Sequence, residues 1–75
     1  MKSASKQEFS DGLGKKVATI RKSKKMTQEK LAELTGLDRM TIALIETGKK
    51  KPSINTLYTL ADKLNVEASE FFIGL

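Results

Sequence analysis

Residues 26–53 read MTQEKLAELTGLDRMTIALIETGKKKPS, and this stretch decides the fold. Thr27 and Asp38 are typical helix caps, because their side-chain oxygens accept a hydrogen bond from the free backbone N–H groups of a helix start. Gly36 is typical of the position just past a helix end, where the backbone turns left-handed. The stretch therefore predicts one helix after Thr27 and a second after Asp38, joined by the tight two-residue link Gly36-Leu37.

The remaining chain carries helical periodicity as well. Apolar residues recur three or four positions apart, and no run of alternating β-branched residues reaches the length of a strand. Ser5 and Glu8 form a capping-box pattern for a first helix that starts near Lys6, and Ser53 can cap a helix nearer the carboxyl end. We therefore expect an all-α fold of five helices. The later helices are predicted over residues 28–35, 39–47, 54–64 and 68–73.

Each of the first four helices has an apolar stripe that we expect to face a common core. In the first helix the stripe residues follow one another at helical intervals. The predicted core residues are Phe9, Leu13, Val17, Ile20, Leu31, Leu34, Ile42, Ile45, Ile54, Leu57, Leu60, Ala61 and Leu64.

Composition limits the chemistry that is open to the chain. Its 75 residues are enough for one domain, which we place at residues 5–75 after a flexible segment over residues 1–4. The sequence has no cysteine and no histidine, and no carboxylate pair marks a catalytic pocket. We expect neither an enzyme nor a bound cofactor or metal. Because no apolar run is long enough to cross a membrane, we expect a cytoplasmic protein.

Charge is the first indication of a binding partner. Fourteen basic and nine acidic residues give a net charge of +5, and the excess is concentrated. Residues 1–25 hold eight Lys or Arg and two acids, and Lys49, Lys50 and Lys51 form a second basic segment. Two basic segments on so small a domain indicate a polyanion as the partner. On charge alone, a surface that serves only solubility is the alternative.

The second helix of the quoted stretch has an unusual distribution of side chains. At 100° per residue, Ile42, Ile45 and Glu46 share one side. A domain of this size cannot bury both sides of the helix, so the opposite, uncharged side is expected to be at least partly exposed. Apolar side chains there suit a base-reading surface, because they contact the thymine methyl group in the major groove of DNA. Packing of Leu44 into the core is the alternative. The opposite side consists of Met40, Ala43, Leu44 and Thr47.

These residues together closely resemble the helix-turn-helix of the Cro and phage-repressor family, often called XRE-type. The strings TQEKLAELTGLD, residues 27–38, and IALIETGKKKPS, residues 42–53, carry the resemblance, which extends over about residues 9–72. It implies a compact five-helix DNA-binding domain whose third helix enters the major groove, usually as a dimer. Similar stand-alone domains serve as controller proteins of restriction–modification operons, as phage regulators and as antitoxins.

The resemblance also implies roles for individual residues. Gln28 matches a glutamine that meets a DNA phosphate, and Arg39 can make a bidentate contact with guanine, with a phosphate contact as the alternative. Arg21 and Glu46 match a pair that usually forms a largely buried salt bridge, so we assign them a structural role. The implied base-reading residues are Arg39, Met40, Thr41, Ala43 and Leu44, and the implied phosphate contacts are Thr27, Gln28, Thr47, Lys49 and Lys50.

Two positions depart from the family pattern, and two acids have an open role. Lys25 stands where the family often has glycine, and Glu67 stands where the last helix usually has a better cap. Glu29 and Glu33 lie four residues apart on the exposed side of the helix that follows Thr27. They match a surface with which some relatives contact RNA polymerase, or they form a solvated face.

The last residues of the chain are apolar, reading FFIGL over residues 71–75. Part of this segment must close the core over the first and fourth helices. The remainder favours a twofold dimer, unless both phenylalanines fit within one chain. We therefore predict a homodimeric, sequence-specific transcriptional regulator, most simply a repressor of a near-palindromic operator. The alternative is an antitoxin-type module that pairs with a toxin protein and autoregulates its operon. The predicted dimer interface consists of Tyr58, Phe71, Phe72 and Leu75.

Overall fold

The computed structural model of the protein describes residues 5–75, and the segment predicted to be flexible, residues 1–4, lies outside the described residues. Over residues 5–75 the backbone forms helices and turns without a strand, which confirms the all-α prediction. No helix in this range has both the length and the apolar character required to cross a membrane. The elements in chain order are α1 (Lys6–Ser23), α2 (Gln28–Thr35), α3 (Arg39–Glu46), α4 (Ile54–Leu64) and a final 3-10 helix (Ala68–Phe72).

The four α-helices begin where the sequence places their caps. Each capping oxygen accepts a hydrogen bond from the backbone N–H three residues later. At the start of α1, Glu8 completes the capping box by accepting from the Ser5 N–H at 3.2 Å. Because these bonds join residues that are close in the sequence, local sequence is enough to predict them. The capping residues are Ser5, Thr27, Asp38 and Ser53.

The prediction of five helices is corrected to four α-helices and one 3-10 helix. The 3-10 helix follows Glu67, whose side chain makes no capping hydrogen bond, and it ends at Phe72 rather than at the predicted Ile73. Glutamate is a poor cap, and a segment this short is typical of the tighter 3-10 geometry. α3 likewise ends one residue earlier than predicted, at Glu46.

The core lies where α3 packs against α1 and α2, and where α2 packs against α4. Most predicted core residues are buried there, but the predictions for Phe9, Leu34 and Ile54 are wrong. Phe9 and Leu34 are exposed, at 43% and 36%. Ile54 is 75% exposed, because it is the first residue of α4 and the buried face of that helix begins at Leu57. The buried apolar residues are Leu13, Val17, Leu31, Ala32, Ile42, Ile45, Leu57, Leu60, Ala61, Leu64 and Phe71.

Phe71 corrects the predicted dimer interface. Its side chain is 0% exposed in the core of its own chain, so it has no surface to offer to a second copy. The 3-10 helix that carries it packs on α1 and α4, as the sequence predicts for part of the apolar terminus. The neighbouring Phe72 is partly exposed and stacks on Phe9, with ring centroids 6.2 Å apart. One terminal phenylalanine therefore completes the core, and the other lies at the surface.

The contact between α1 and α3 depends on Gly14. A methyl group at this position would lie 2.7 Å from the carbonyl oxygen of Glu46 and closer still to that of Ile45. The two helix backbones therefore touch at a point where only glycine fits. This close approach holds the inner face of α3 against α1 and leaves its other face at the surface.

The turns on either side of α2 both require a left-handed residue. Gly36 ends α2 at φ +78°, a conformation that glycine adopts without strain. Lys25, in the turn between α1 and α2, adopts φ +60°, which is unfavourable for a residue with a side chain. The departure from the family pattern at this position therefore falls where glycine would relieve backbone strain.

Candidate nucleic-acid interface

The outer face of α3 is the surface that the sequence assigns to base reading. Behind it, Ile42 and Ile45 are buried in the core. Leu44 is half-buried, which places it between the two predicted alternatives of a core residue and an exposed one. The outer face consists of the exposed residues Arg39 and Met40 and the half-buried residues Thr41, Ala43 and Leu44.

Arg39 contacts an acid on the neighbouring helix. Its Nε lies 3.4 Å from Oε2 of Glu29, which belongs to the first turn of α2. The side chains are 58% and 70% exposed, so the ion pair is solvated and can separate at little cost. Sequence reasoning missed this contact. The only indication of it in the sequence is that α2 and α3 carry opposite charges at Glu29 and Arg39. Whether these side chains meet depends on how the two helices cross.

A second arginine–glutamate pair joins α1 to α3. Arg21 Nε donates to Glu46 Oε2 at 2.6 Å, and Arg21 Nη2 donates to Oε1 at 3.0 Å. These side chains are only 9% and 6% exposed. Arg21 Nη1 also donates to the Met26 carbonyl oxygen at 2.7 Å, which ties the turn before α2 to the same point. The buried charges are thus paired and hydrogen-bonded, the condition under which a protein interior tolerates them.

Gln28, the first residue of α2, joins this pair. Its Nε2 donates to Glu46 Oε1 at 2.9 Å. We refer to Arg21, Gln28 and Glu46 as the buried polar cluster, which ties α1, α2 and α3 together. The side-chain hydrogen bond with Glu46 is also the main reason why the pKa of Arg21 is raised above its ordinary value.

The basic loop after α3 is held by backbone hydrogen bonds. The N–H groups of Lys49 and Lys50 donate to the Leu44 carbonyl oxygen at 2.9 and 3.1 Å. The Thr47 hydroxyl donates to the Ala43 carbonyl oxygen at 2.9 Å. Both lysine side chains are exposed, so two cations extend from the loop that follows α3.

Helix α1 supports the same loop through a contact that the sequence did not predict. Gln7 Nε2 donates to the Gly48 carbonyl oxygen at 3.0 Å and to Asp11 Oδ1 at 2.8 Å. Gly48 adopts φ +77°, and a Cβ atom there would collide with Asp11. The two ends of the Gln7–Gly48 contact are 41 residues apart, so no local pattern could indicate it.

Polar caps mark the amino ends of α2 and α3. The exposed Thr27 accepts from the Lys30 N–H at 3.0 Å, and the Asp38 carboxylate accepts from the Thr41 N–H at 2.7 Å. The backbone hydrogen bond from Thr41, with help from the charge of Lys50, lowers the pKa of Asp38 below its ordinary value. This agrees with the prediction that Asp38 is a helix cap.

Three of the four predicted interface residues are exposed, namely Tyr58, Phe72 and Leu75. Tyr58 follows Ile54 by one helical turn, so two exposed apolar residues share a face of α4. Leu75 folds back towards α1, where its side chain occupies the space beside Gly12. The terminal segment and α4 therefore present apolar surface that the single chain leaves uncovered.

Residues 17–71 match the helix-turn-helix family model. The matched range contains α2 and α3, the buried polar cluster and the outer face of α3. The chain therefore belongs to the helix-turn-helix family, of XRE type, as the resemblance of residues 27–38 and 42–53 predicts.

Two curated relatives show how members of this family are named. The HTH-type transcriptional regulator PuuR of Escherichia coli (strain K12) is 39% identical over 59 residues, which are 79% of this chain and 32% of PuuR. The immunity repressor protein of Bacillus phage phi105 is 39% identical over 57 residues, which are 76% of this chain and 40% of the repressor. The chain thus spans well under half the length of either relative.

Solved structures of controller proteins share the fold. The restriction-modification controller protein C.AhdI from Aeromonas hydrophila superposes with a TM-score of 0.81 at 34% identity, over 83% of this chain and 94% of C.AhdI. The controller protein C.Esp1396I, solved as a tetramer in complex with its natural 35 base-pair operator, gives a TM-score of 0.78 at 33% identity. That match covers 85% of this chain and 84% of C.Esp1396I.

Proposed function

We propose that the protein is a sequence-specific DNA-binding transcriptional regulator that acts as a homodimer on a near-palindromic operator, most simply as a repressor. The observation that carries the proposal is the outer face of α3, which is accessible, carries a single charged side chain and is backed by the core. Family membership supports it, since relatives bear the names of a transcriptional regulator and an immunity repressor.

The outer face of α3 has the shape and chemistry for the major groove. An α-helix fits this groove, which is about 12 Å wide. Arg39 offers a guanidinium fork that matches the O6 and N7 acceptors of guanine, and Thr41 offers a hydroxyl. Met40, Ala43 and Leu44 offer apolar contact to thymine methyl groups, which carry no charge.

Phosphate contacts are proposed on both sides of this face. Thr27 and Gln28 lie at the amino end of α2, where the helix dipole favours an anion, and the buried polar cluster orients the Gln28 amide. Thr47, Lys49 and Lys50 follow the carboxyl end of α3. Such contacts set the position of a protein on the duplex but carry no sequence information themselves.

Dimerisation is proposed through Tyr58, Phe72 and Leu75. These residues are apolar and exposed, and they provide self-complementary surface for a twofold contact. The two copies of α3 would then lie one DNA turn apart, about 34 Å, on half-sites whose centres are about 10 base pairs apart. The C.Esp1396I tetramer in complex with its operator supports the part of this proposal in which more than one copy of the chain binds one DNA duplex.

Selection from a random duplex pool, followed by footprinting, tests the proposal. We expect enrichment of a near-palindrome whose half-site centres are about 10 base pairs apart. Phe72→Glu should weaken binding to that operator through lost dimerisation, while circular dichroism shows the fold intact. A single half-site bound by a monomer would contradict the dimer. A purified protein that is monomeric by mass measurement would favour the antitoxin-type alternative.

Matched variants separate base reading from phosphate contact. Lys49→Ala should weaken operator and random DNA by similar factors, and make the slope of log affinity against log salt shallower by about 2 per dimer. Arg39→Ala should cost roughly 1–3 kcal/mol on the operator and less on random DNA. Leu44→Ala should reduce the preference at one base pair per half-site and leave the salt slope unchanged. If only Lys49→Ala alters the operator-to-random ratio, the assignment of the outer face of α3 is wrong.

The predicted contact of Glu29 and Glu33 with RNA polymerase stays a prediction. In the structure Glu33 accepts from Lys30 Nζ of its own helix at 3.3 Å, and Glu29 pairs with Arg39. Both carboxylates are largely exposed, so either could meet a further protein while the domain is on DNA.

A further inference from the structure

A negative charge lies next to the surface proposed to meet DNA phosphates. Glu29 follows Gln28, a proposed phosphate contact, in the first turn of α2. Two other acids of this region have structural partners: Glu46 is buried in the polar cluster, and Asp38 caps α3. Glu29 instead contacts Arg39, the residue proposed to read a guanine.

We propose that Glu29 is a positioning residue that determines the specificity of Arg39, because it keeps the guanidinium away from phosphates and leaves its terminal nitrogens for a guanine. The inference rests on the proposed function, and it names a residue of the same site that sets how well Arg39 discriminates the operator from random DNA. The ion pair is made at Nε, 3.4 Å from Oε2 of Glu29. A bidentate guanine contact uses the terminal nitrogens of the guanidinium, so Arg39 can make both contacts at once.

Electrostatics explains why such a pair raises specificity. An unrestrained arginine on a DNA-binding surface can contact a phosphate of any sequence, which strengthens random binding without discrimination. With Glu29 beside it, a phosphate at the terminal nitrogens of Arg39 lies close to a second negative group, and the repulsion between the two disfavours the contact. The neutral acceptor edge of guanine does not meet that repulsion. Glu29 therefore disfavours random DNA more than the operator, a repulsive element that increases specificity.

The test compares Glu29→Gln with the matched control Glu33→Gln. Both variants remove one negative charge from the exposed side of α2, but Glu33 pairs with Lys30 of its own helix. The operator is the duplex that the unmodified protein enriches from a random pool, and the competitor is the same duplex with its sequence shuffled. Affinities are measured at one fixed salt concentration, and melting temperatures verify that both variants fold.

We expect Glu33→Gln to raise both affinities by similar factors. Glu29→Gln should raise the affinity for shuffled DNA roughly twofold to fivefold more per subunit than the affinity for the operator, the fold-change that corresponds to an exposed ion pair. On shuffled DNA its salt slope should be steeper than that of Glu33→Gln by about 1 per subunit, because Arg39 gains a phosphate contact. In an Arg39→Ala background, Glu29→Gln should leave the operator-to-shuffled ratio unchanged.

The possible outcomes separate this inference from the proposed function. If Glu29→Gln and Glu33→Gln change the ratio equally, the inference is overturned while sequence-specific regulation stands. A change in the ratio that persists in the Arg39→Ala background also overturns it, because Glu29 would then act independently of Arg39. If the unmodified protein enriches no sequence, the proposed function fails, and the inference fails with it.

Discussion

Two arginine–glutamate pairs in one small domain differ in almost every physical respect. Arg21 and Glu46 make two hydrogen bonds, at 2.6 and 3.0 Å, with side chains 9% and 6% exposed. Arg39 and Glu29 make one contact at 3.4 Å, with side chains 58% and 70% exposed. The first pair is surrounded by the core, and the second is surrounded by solvent.

The difference shows how burial changes what an ion pair does. Removal of one partner from a buried pair leaves a charge without solvent or counterion, so the loss of either partner strongly destabilises the domain. An exposed pair can open at little cost, since water replaces the lost partner. The buried pair therefore holds α1 against α3, whereas the exposed pair leaves Arg39 available to a ligand.

The largest expected effect comes from breaking the buried pair. Glu46→Ala should lower the free energy of unfolding by about 3–5 kcal/mol, because Arg21 keeps its charge in the interior. Glu29→Ala, which breaks the exposed pair, should change it by less than about 1 kcal/mol. Thermal unfolding measures both, since 1 kcal/mol corresponds to about 4–8 °C in Tm for a domain of this size.

A double replacement keeps this prediction informative if Glu46→Ala fails to fold. Arg21→Met combined with Glu46→Leu removes both charges, so the combined variant should be more stable than Glu46→Ala alone. If Glu46→Ala and Glu29→Ala melt at the same temperature, burial does not distinguish the two pairs.

The next largest effect should come from Gly14, the glycine of α1 that lets α3 approach α1 beside the buried pair. Gly14→Ala places a methyl group against the carbonyl oxygens of Ile45 and Glu46, and we expect a loss of about 1–3 kcal/mol. Gly12→Ala is the matched control in the same helix, because its methyl group would meet only the movable end of the Leu75 side chain. Urea unfolding of both variants gives the comparison, and an unchanged midpoint for Gly14→Ala would show that the helices can separate freely.

A smaller effect is expected from the third member of the buried polar cluster. Gln28→Ala removes the 2.9 Å hydrogen bond to Glu46 Oε1, but Arg21 Nη2 still donates to that oxygen. We expect a loss of about 1 kcal/mol in the free energy of unfolding. Thermal unfolding checks the value. A loss as large as that of Glu46→Ala would mean that Gln28, rather than Arg21, carries the cluster.

The smallest effect concerns an exposed carboxylate with a backbone partner. The hydrogen bond from Thr41 lowers the pKa of Asp38, so its contribution to stability is present above the ordinary value near 3.8 and is lost as the pH falls through the lowered value. Asp38→Asn keeps a cap but does not titrate. Its stability should therefore fall less than that of the parent between about pH 4 and pH 2. Equal acid dependence of Tm in the two proteins would contradict this role of Asp38.

Much of the fold was predictable because its signals are local. The starts of all four α-helices and the short turn after α2 could be identified from sequence. The helical period also indicated that Met40, Ala43 and Leu44 share one side of α3, whereas Arg39 and Thr41 were assigned to its outer face by the family resemblance. The predictions failed at Phe9, Leu34 and Ile54, which are exposed although they fit the apolar period.

The candidate site was less predictable where two distant residues define it. The sequence names Arg39 as a base-reading residue, but it does not show that Glu29 holds it. It names Lys49 and Lys50, but not the support that Gln7 gives their loop through Gly48. These contacts depend on how helices cross, and a side-chain pattern within one helix carries no information about that crossing.

The sequence by itself determined the helices, their caps, the helix-turn-helix spacing and the concentration of positive charge, because each depends on residues a few positions apart or on simple composition. The tertiary structure decided that Arg39 pairs with Glu29 at the surface, that Phe71 completes the core while Phe72 stays at the surface, and that α1 touches α3 at Gly14. The physical reason is that burial is a property of the packed chain: solvent leaves a side chain only when distant segments arrive, and the same residue types then behave differently.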